Sequence, residues 1–355
     1  MIKLLVIADD FTGALDTGVQ FKAKQTLIQI ASEKCIESLK ISDHNLQVLI
    51  VDAETRHMTA QDAYQTVYQI VQTAVEAGVP CIYKKTDSGL RGNIGSELTA
   101  ALNASGNKQL HFIPAFPLIN RITVNGIHYI DGKPVAQSVF GKDPFEPVQS
   151  SKVKEIIYSQ SPVHTHLMGS TVPDVLPQGI LVYDSAKDED LQQIAQTLKL
   201  RGELNLLAGC AGFASVLPDL LDLDRIEPQF PPIPQKLLVI CGSINPITLR
   251  QLDEAQRAGA PRIQLTPEQK LDDRWLTSPD GLQITAEWMA QLKDAPLAII
   301  EGNQTGEGDA TQCCANRMGM NLEQVRAQIS RTMGGVLERL LSLGLEATVL
   351  VTGGD

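Results

Sequence analysis

The sequence predicts an α/β protein of two domains with mainly parallel sheets, and three observations predict it. Short β-branched runs stop at acids or glycines and lead into helix-periodic segments, the texture of strand–loop–helix units. That texture is interrupted at residues 226–235, IEPQFPPIPQ, where four prolines and no glycine make a semi-extended linker. At 355 residues the chain also exceeds what one ordinary core holds. The boundaries that follow are residues 1–225 for a first domain and 236–355 for a second.

In order, Leu4 to Ile7 suits a buried strand that stops at Asp9 and Asp10. A Thr12-Gly13 turn and a helical segment to Phe21 follow, which puts both acids at the carboxyl edge of a parallel sheet, where open α/β sheets bind ligands. A helix cap would account for one acid; two followed by Thr-Gly exceed that need. Leu46 to Arg56 is a second strand, ending in Asp52, Glu54, Thr55 and Arg56. Apolar spacing predicts a helix from Ala60 to Gly78, closed by Gly-Val-Pro. Residues 81–98, CIYKKTDSGLRGNIGSEL, read as a strand that Lys84 and Lys85 leave, a polar glycine-rich loop, and a helix. Leu110 to Ile113 is a short strand running into Pro114–Pro117. Between Asn120 and Ser151 turns and short extended pieces predict a hairpin or flap, with Asp131-Gly132 as a turn. The His164–His166 stretch reads as a polar loop. Leu206 to Ser215 is a strand, a small-residue turn and a helix start. Past the linker, Lys236–Thr248 restarts the pattern, Pro296–Gly302 is a further strand, Leu322–Leu343 is helical, and Ala347–Asp355 is a strand entering a Gly-Gly-Asp turn.

Composition narrows the function classes. A net charge of -11 without a basic run leaves nucleic acid no electrostatic footprint. No window reaches the roughly 18 apolar residues of a membrane span, and the start MIKLLVIADD lacks a signal peptide. The six cysteines show no metal spacing and predict reduced thiols in a cytoplasmic protein. His57, His111, His128, His164 and His166 share no ligand spacing, so no protein metal site is expected. Ser170 and Ser185 have no base nearby in sequence, and Cys210 reads as a small buried residue.

The chemistry concentrates at the strand ends. Lys84, Lys85, Thr86, Asp87, Ser88 and Arg91 share one loop with Gly89, Gly92 and Gly95, which let backbone amides approach a ligand. The next helix points its positive end there. Arg56 offers a bidentate clamp for a carboxylate. Cations, amides and carboxylates together suit an anionic, hydroxylated small molecule. Neither a Walker-type loop nor a clean G-x-G-x-x-G is present, which disfavours a dehydrogenase. Cys241–Pro246, with Ser243, and Thr352–Asp355, with Gly353, Gly354 and Asp355, are the phosphate-cradle candidates of the second half.

Taken in order, VIADDFTGALDTG, DAETR, YKKTDSGLRGNIGSEL, PAFP with R-x-T-V-N-G-I-H-Y and KDPFEPV, GCAGFA and CGSINPIT resemble the four-carbon acid sugar kinase family over essentially the whole chain. The resemblance implies an N-terminal substrate domain and a C-terminal nucleotide domain. It implies transfer of the γ-phosphoryl of ATP, with Mg²⁺, to the terminal hydroxyl of a sugar acid. The KTDS-x-LRGNIG form is similar to the threonate and erythronate kinases, which puts D-threonate first, with D-erythronate or 3-oxo-tetronate as alternatives. Carried onto this chain, Asp9 or Asp10, Arg56, Lys84 to Ser88 and Arg91 fall on substrate motifs, with Asp10 or Asp87 orienting or deprotonating the hydroxyl. Ser243, Gly353, Gly354 and Asp355 fall on nucleotide motifs. A homodimer is the assembly it allows. Family members continue past the Gly-Gly-Asp turn, so the resemblance implies a nucleotide domain truncated after Asp355, and a non-catalytic sugar-acid binding protein is the alternative should the chain end there.

Overall fold

The computed structural model describes residues 2–21, 27–32, 46–143, 146–221, 223, 234–243, 245–302 and 308–353. The chain divides into two compact units, Met1–Gln229 and Phe230–Asp355. Most of the proline-rich linker, residues 226–233, lies outside the described residues, as do Gly354 and Asp355.

The first unit is built on eight parallel strands. They are β1 (Leu4–Ala8), β2 (Leu27–Ser32), β3 (Leu46–Asp52), β4 (Cys81–Lys85), β5 (Gln109–Ile113), and, after a hairpin sheet, β9 (Thr165–Gly169), β10 (Gly179–Tyr183) and β11 (Leu206–Gly209). Their order in the sheet is β2-β3-β1-β4-β11-β5-β10-β9. The helices are α1 (Phe11–Phe21), α2 (Ala60–Glu76), α3 (Ile94–Ser105), α4 (Val153–Tyr158), α5 (Asp188–Arg201) and α6 (Ala211–Ala214). The apolar runs of β1, β3, β4, β10 and β11 are buried along their whole length because helices cover both faces. Strand alternation divides β1 accordingly: Leu5 and Ile7 join α2 and α3 in one core, Leu4, Val6 and Ala8 join α1 in the other.

The small antiparallel sheet β6 (Arg121–Val124), β7 (Ile127–Ile130) and β8 (Lys133–Pro134) is the expected flap. Both its turns carry two residues of positive φ, Asn125-Gly126 and Asp131-Gly132, the backbone a two-residue hairpin with matched twist requires. Asp184, just past β10, accepts from the amides of Asn125 and Gly126 at 2.8 and 2.9 Å, and Thr123 pairs with Ser185. The flap is thereby fastened over the carboxyl edge of the large sheet.

The second unit holds β12 (Leu237–Cys241), β13 (Arg262–Gln264), β14 (Leu297–Glu301) and β15 (Thr348–Thr352) in the parallel order β13-β14-β12-β15. Its helices are α7 (Pro246–Arg257), α8 (Pro267–Leu271), α9 (Pro279–Leu292), α10 (Gly308–Arg317) and α11 (Leu322–Ser342).

Three sequence expectations are corrected. Lys84 and Lys85 do not leave β4; they are its last two residues and project to opposite faces. Thr165–Gly169 is the edge strand β9 rather than a loop, because Thr165, His166 and Leu167 pair with β10. The helix expected to Gly78 ends at Glu76, with Gly78 at φ 74 beyond it.

Candidate active site

Both sheets reverse their winding at one place. The chain runs from β1 outward to β2 and β3, then returns to lay β4 on the other side of β1. In the second unit it runs from β12 to β13 and β14 and returns to lay β15 beside β12. Ligands of open α/β sheets bind at the carboxyl ends of such switch points. The predicted residues fall there: Asp9 and Asp10 after β1, Lys84 and Lys85 on β4, Ser243 after β12, Gly353 after β15.

In the first unit the edge is a network of paired charges. Arg56 is buried and donates from Nε to Asp9 Oδ2 at 2.8 Å and from Nη1 to Asp10 Oδ2 at 2.6 Å. Asp9 is thereby committed, and so is the guanidinium expected to clamp a substrate. Gly92, at φ +81, passes so close that a Cβ there would lie 3.0 Å from Arg56 Cγ, which holds the arginine in place. Asp87 is held harder still. Its Oδ2 accepts from the Gly89 and Arg91 amides and from Arg91 Nε, and its Oδ1 from Arg91 Nη2. Burial opposes its ionisation, but those bonds and the Arg56 and Arg91 charges outweigh it and hold the carboxyl below the usual range. Arg91 Nη1 goes on to Asp143 Oδ2 at 3.0 Å.

Lys84, with no exposed surface, meets Glu97 Oε2 of α3 at 3.0 Å and donates to the Lys85 carbonyl at 2.7 Å. Lys85 faces the edge. Its ammonium is buried beside Gly13, donates to the Thr86 carbonyl at 2.9 Å, and makes no ion pair within 4.0 Å among the described residues. Asp10 lies next to it, accepting from the Gly13 amide on Oδ1 at 2.8 Å. Burial, then the negative charge of Asp9, raise the Asp10 carboxyl above its ordinary value although Arg56 and Lys85 oppose this. Asp10 and Asp87, indistinguishable in the sequence, are therefore different groups: one raised, with a single donor on each oxygen, one held low and ionised by four donors.

The flap supplies what sequence reading missed. Arg121, the first residue of β6, donates from Nη1 to Ser88 Oγ. His128 on β7 is fully buried, with Nε2 3.0 Å from the Ser88 carbonyl and Nδ1 2.9 Å from Thr123 Oγ1. A carbonyl only accepts, so Nε2 carries the proton and Nδ1 accepts from Thr123. Burial pushes this imidazole down to about 4, so it is neutral at pH 7. The Phe140 ring takes the guanidinium carbons of Arg91 and Arg121 at 5.0 Å each. It lies so close to Gly89 that a Cβ there would be 2.7 Å from the ring. Ser88 is thus gripped at both oxygens by the hairpin. Beside this network, Arg56, Arg91 and His57 contribute to an open cleft of about 450 Å³.

The second unit's edge is made of backbone. Gly242 donates to the Thr352 carbonyl at 2.8 Å, and Gly302 to Cys241 at 3.0 Å. A Cβ on Gly353 would sit 3.2 Å from Gly242 Cα and from the Ser243 amide nitrogen, so two strand-end loops touch there without side chains. Asn245 caps α7 through the Ile247 amide at 2.8 Å. Glycine backbone at strand ends is the kind of surface on which phosphate oxygens approach main-chain N–H groups. No group of three His, Cys, Asp or Glu residues that could hold a metal ion occurs among the described residues.

The fold thus carries one charged switch point in its first unit and one backbone-lined switch point in its second. The family model described as a sugar-binding N-terminal domain matches residues 4–217, and the one described as a nucleotide-binding C-terminal domain matches 238–355. The chain is 30% identical over 369 residues to the D-threonate kinase of Salmonella typhimurium (strain LT2), covering 100% of this chain and 84% of that protein. It is 26% identical over 378 residues to the D-erythronate kinase of Heliobacterium modesticaldum, again covering 100% of this chain and 84% of the other. Among solved structures it is similar to a protein of the DUF1537 family from Bordetella bronchiseptica, crystallised as a domain-swapped dimer with bound citrate. The TM-score is 0.55 and the identity 25%, over 100% of this chain and 83% of that one. The chain belongs to the four-carbon acid sugar kinase family.

Proposed function

We propose that the protein transfers the γ-phosphoryl group of ATP to the terminal hydroxyl of a four-carbon sugar acid, with D-threonate as the first substrate and D-erythronate as the second. The observation that carries the reading is the placement of Asp10 and Lys85 side by side against Gly13 at the first switch point. Phosphoryl transfer asks the protein for positioning, charge neutralisation and at most a weak base. Asp10, whose carboxyl burial and the Asp9 charge raise above its ordinary value, is the group suited to accept the hydroxyl proton. Lys85 lies beside it as a buried cation without a carboxylate at ion-pair distance. Asp87, its lone pairs occupied by four donors, keeps Arg91 and the loop in shape instead. Asp9 plays the same part for Arg56.

The Ser243 and Gly353 amides would hold the nucleotide's phosphates, the Gly242 N–H being spent on the Thr352 carbonyl. Mg²⁺, which prefers phosphate oxygens and few protein ligands, would neutralise their charge. D-threonate is favoured by the higher identity to a kinase of that name and by the KTDSGLRGNIG loop. We place the protein in the cytoplasm, which agrees with free thiols at Cys81, Cys210, Cys241, Cys313 and Cys314. Among the described residues no helix is long and apolar enough to cross a membrane. We also propose a homodimer, by analogy with the Bordetella protein.

Steady-state ADP release with ATP, Mg²⁺ and a panel of D-threonate, D-erythronate and 3-oxo-tetronate tests the reading. Turnover with a four-carbon acid supports it. Tight binding of an acid with no ADP release from any of them would show a binding protein instead.

A further inference from the structure

The cations reaching the first unit's edge are Arg56, Lys84, Lys85, Arg91 and Arg121, and their charges are not equally spent. Arg56 is committed to Asp9 and Asp10, Lys84 to Glu97, and Arg91 to Asp87 and Asp143. A substrate carboxylate taken by any of these would share a cation whose charge a buried carboxylate already matches. Among the described residues Lys85 and Arg121 make no ion pair within 4.0 Å. Lys85 is buried with the Thr86 carbonyl as its acceptor, and the Thr86 hydroxyl and Asp9 Oδ1 near it are buried without a hydrogen-bond partner.

Arg121 is held ready rather than loose. Reciprocal backbone bonds with Phe116 at 2.6 and 3.1 Å fix its main chain at the end of the Pro114–Pro117 loop. The Phe140 ring at 5.0 Å fixes its guanidinium, and one Nη is spent on Ser88 Oγ. The remaining N–H groups of the planar fork are left for a second acceptor, the geometry that recognises a carboxylate. Lys85 and Arg121 touch the same short stretch, Thr86 and Ser88. Lys85 lies beside Gly13 and Asp10, and Arg121 stands at the foot of the flap.

We propose that Arg121, together with the Ser88 hydroxyl, binds the carboxylate of the sugar acid and so fixes its direction in the site. The acid group lies under the flap and the terminal hydroxyl at Asp10 and Lys85. This rests on the kinase reading above and adds to it a residue that sets specificity for acids over uncharged polyols.

The experiment is calorimetric titration of the intact protein, without nucleotide, using D-threonate and its uncharged amide, D-threonamide. Wild type, Arg121→Gln and Arg121→Lys are compared. Loss of one charge-assisted contact should weaken D-threonate binding by Arg121→Gln roughly 10- to 100-fold. Arg121→Lys, which keeps the charge but not the fork, should fall between. The amide should bind wild type and Arg121→Gln alike. In turnover, KM for the acid should rise by the same factor while kcat stays within about threefold, the mark of contact made equally in ground and transition states. Unchanged D-threonate binding in Arg121→Gln, or equal loss for acid and amide, overturns the proposal. Titration needs no turnover. A wild type that binds the acid but never releases ADP therefore refutes the kinase reading alone, while absence of acid binding in wild type refutes the assignment of Arg121 as well.

Discussion

The two switch points solve the same topological problem with opposite materials. At β1/β4 the loops carry acids and bases at high density, paired with one another so that most are rigid and few are free. At β12/β15 the loops carry glycine, and the available groups are main-chain amides. A sugar acid must be told from its stereoisomers and have one hydroxyl activated, which needs directional side chains and a titratable carboxyl. Phosphates need many N–H donors at close approach and no distinction among side chains. The contrast teaches that a charged residue's presence at the first edge says little about its role. What matters is whether its charge is already matched.

The contrast can be broken most severely at Asp10. Asp10→Asn keeps size and the Gly13 contact but cannot accept the proton, so kcat should fall by roughly 10²–10⁴, with KM for the acid changed little, as read by steady-state kinetics. Among the described residues the second unit has a buried pair of its own. Glu301 at the end of β14 accepts from Arg262 Nε and Nη2 at 2.9 Å each and is fully buried. This pair faces its own sheet and α7 rather than a ligand, so Glu301→Gln should cost stability, about 3 kcal/mol in denaturant unfolding, and leave acid binding intact.

A smaller effect is expected at Gly353, where φ is 138 and a Cβ would crowd the Gly242 backbone. Gly353→Ala adds strain of about 1–3 kcal/mol and should raise KM for ATP roughly tenfold while calorimetric binding of D-threonate stays as in wild type. The smallest effect concerns pH. Burial raises the Asp52 carboxyl to about 6. Because its folded value lies above the unfolded one, the folded state gains less from ionisation, and the group detracts from stability as pH rises from about 4 through 6. Asp52→Asn should therefore raise Tm by about 2–4 °C at pH 7.5 and leave it unchanged near pH 4. Asp87, held below the usual range, has the opposite sign: its stabilisation is present at neutral pH and is lost as acid protonates it.

Much of this was legible in the sequence. The strand–loop–helix runs at Leu4, Leu46, Cys81 and Lys236 announced themselves because strands buried on two faces are continuously apolar, whereas the apolar run at Ala347 forms β15, with Leu350 and Val351 exposed. Asp9, Asp10, Arg56 and Asp87 could be gathered because each follows such a strand. Sequence order could not show that β11 inserts between β4 and β5, nor that β9, with polar and half-exposed residues, joins the sheet at its edge. Nor could it show the matching of charges. Glu97 lies on a helix face and reaches Lys84 only through strand alternation, while Arg121, His128 and Phe140 reach Ser88 through the flap, from 33 residues away in the case of Arg121. The motif RITVNGIHY was recognisable as a hairpin, but a hairpin alone does not say what lies beneath it.

The central claim is that the acid's terminal hydroxyl meets Asp10 while the nucleotide's phosphates rest on backbone. Phosphorus NMR of the product formed from ATP and D-threonate, by wild type and by Asp10→Asn, tests it directly. The account predicts a phosphate monoester on the terminal carbon from wild type and essentially none from the variant under equal conditions. A phosphate on another hydroxyl, or an undiminished yield from Asp10→Asn, would contradict it.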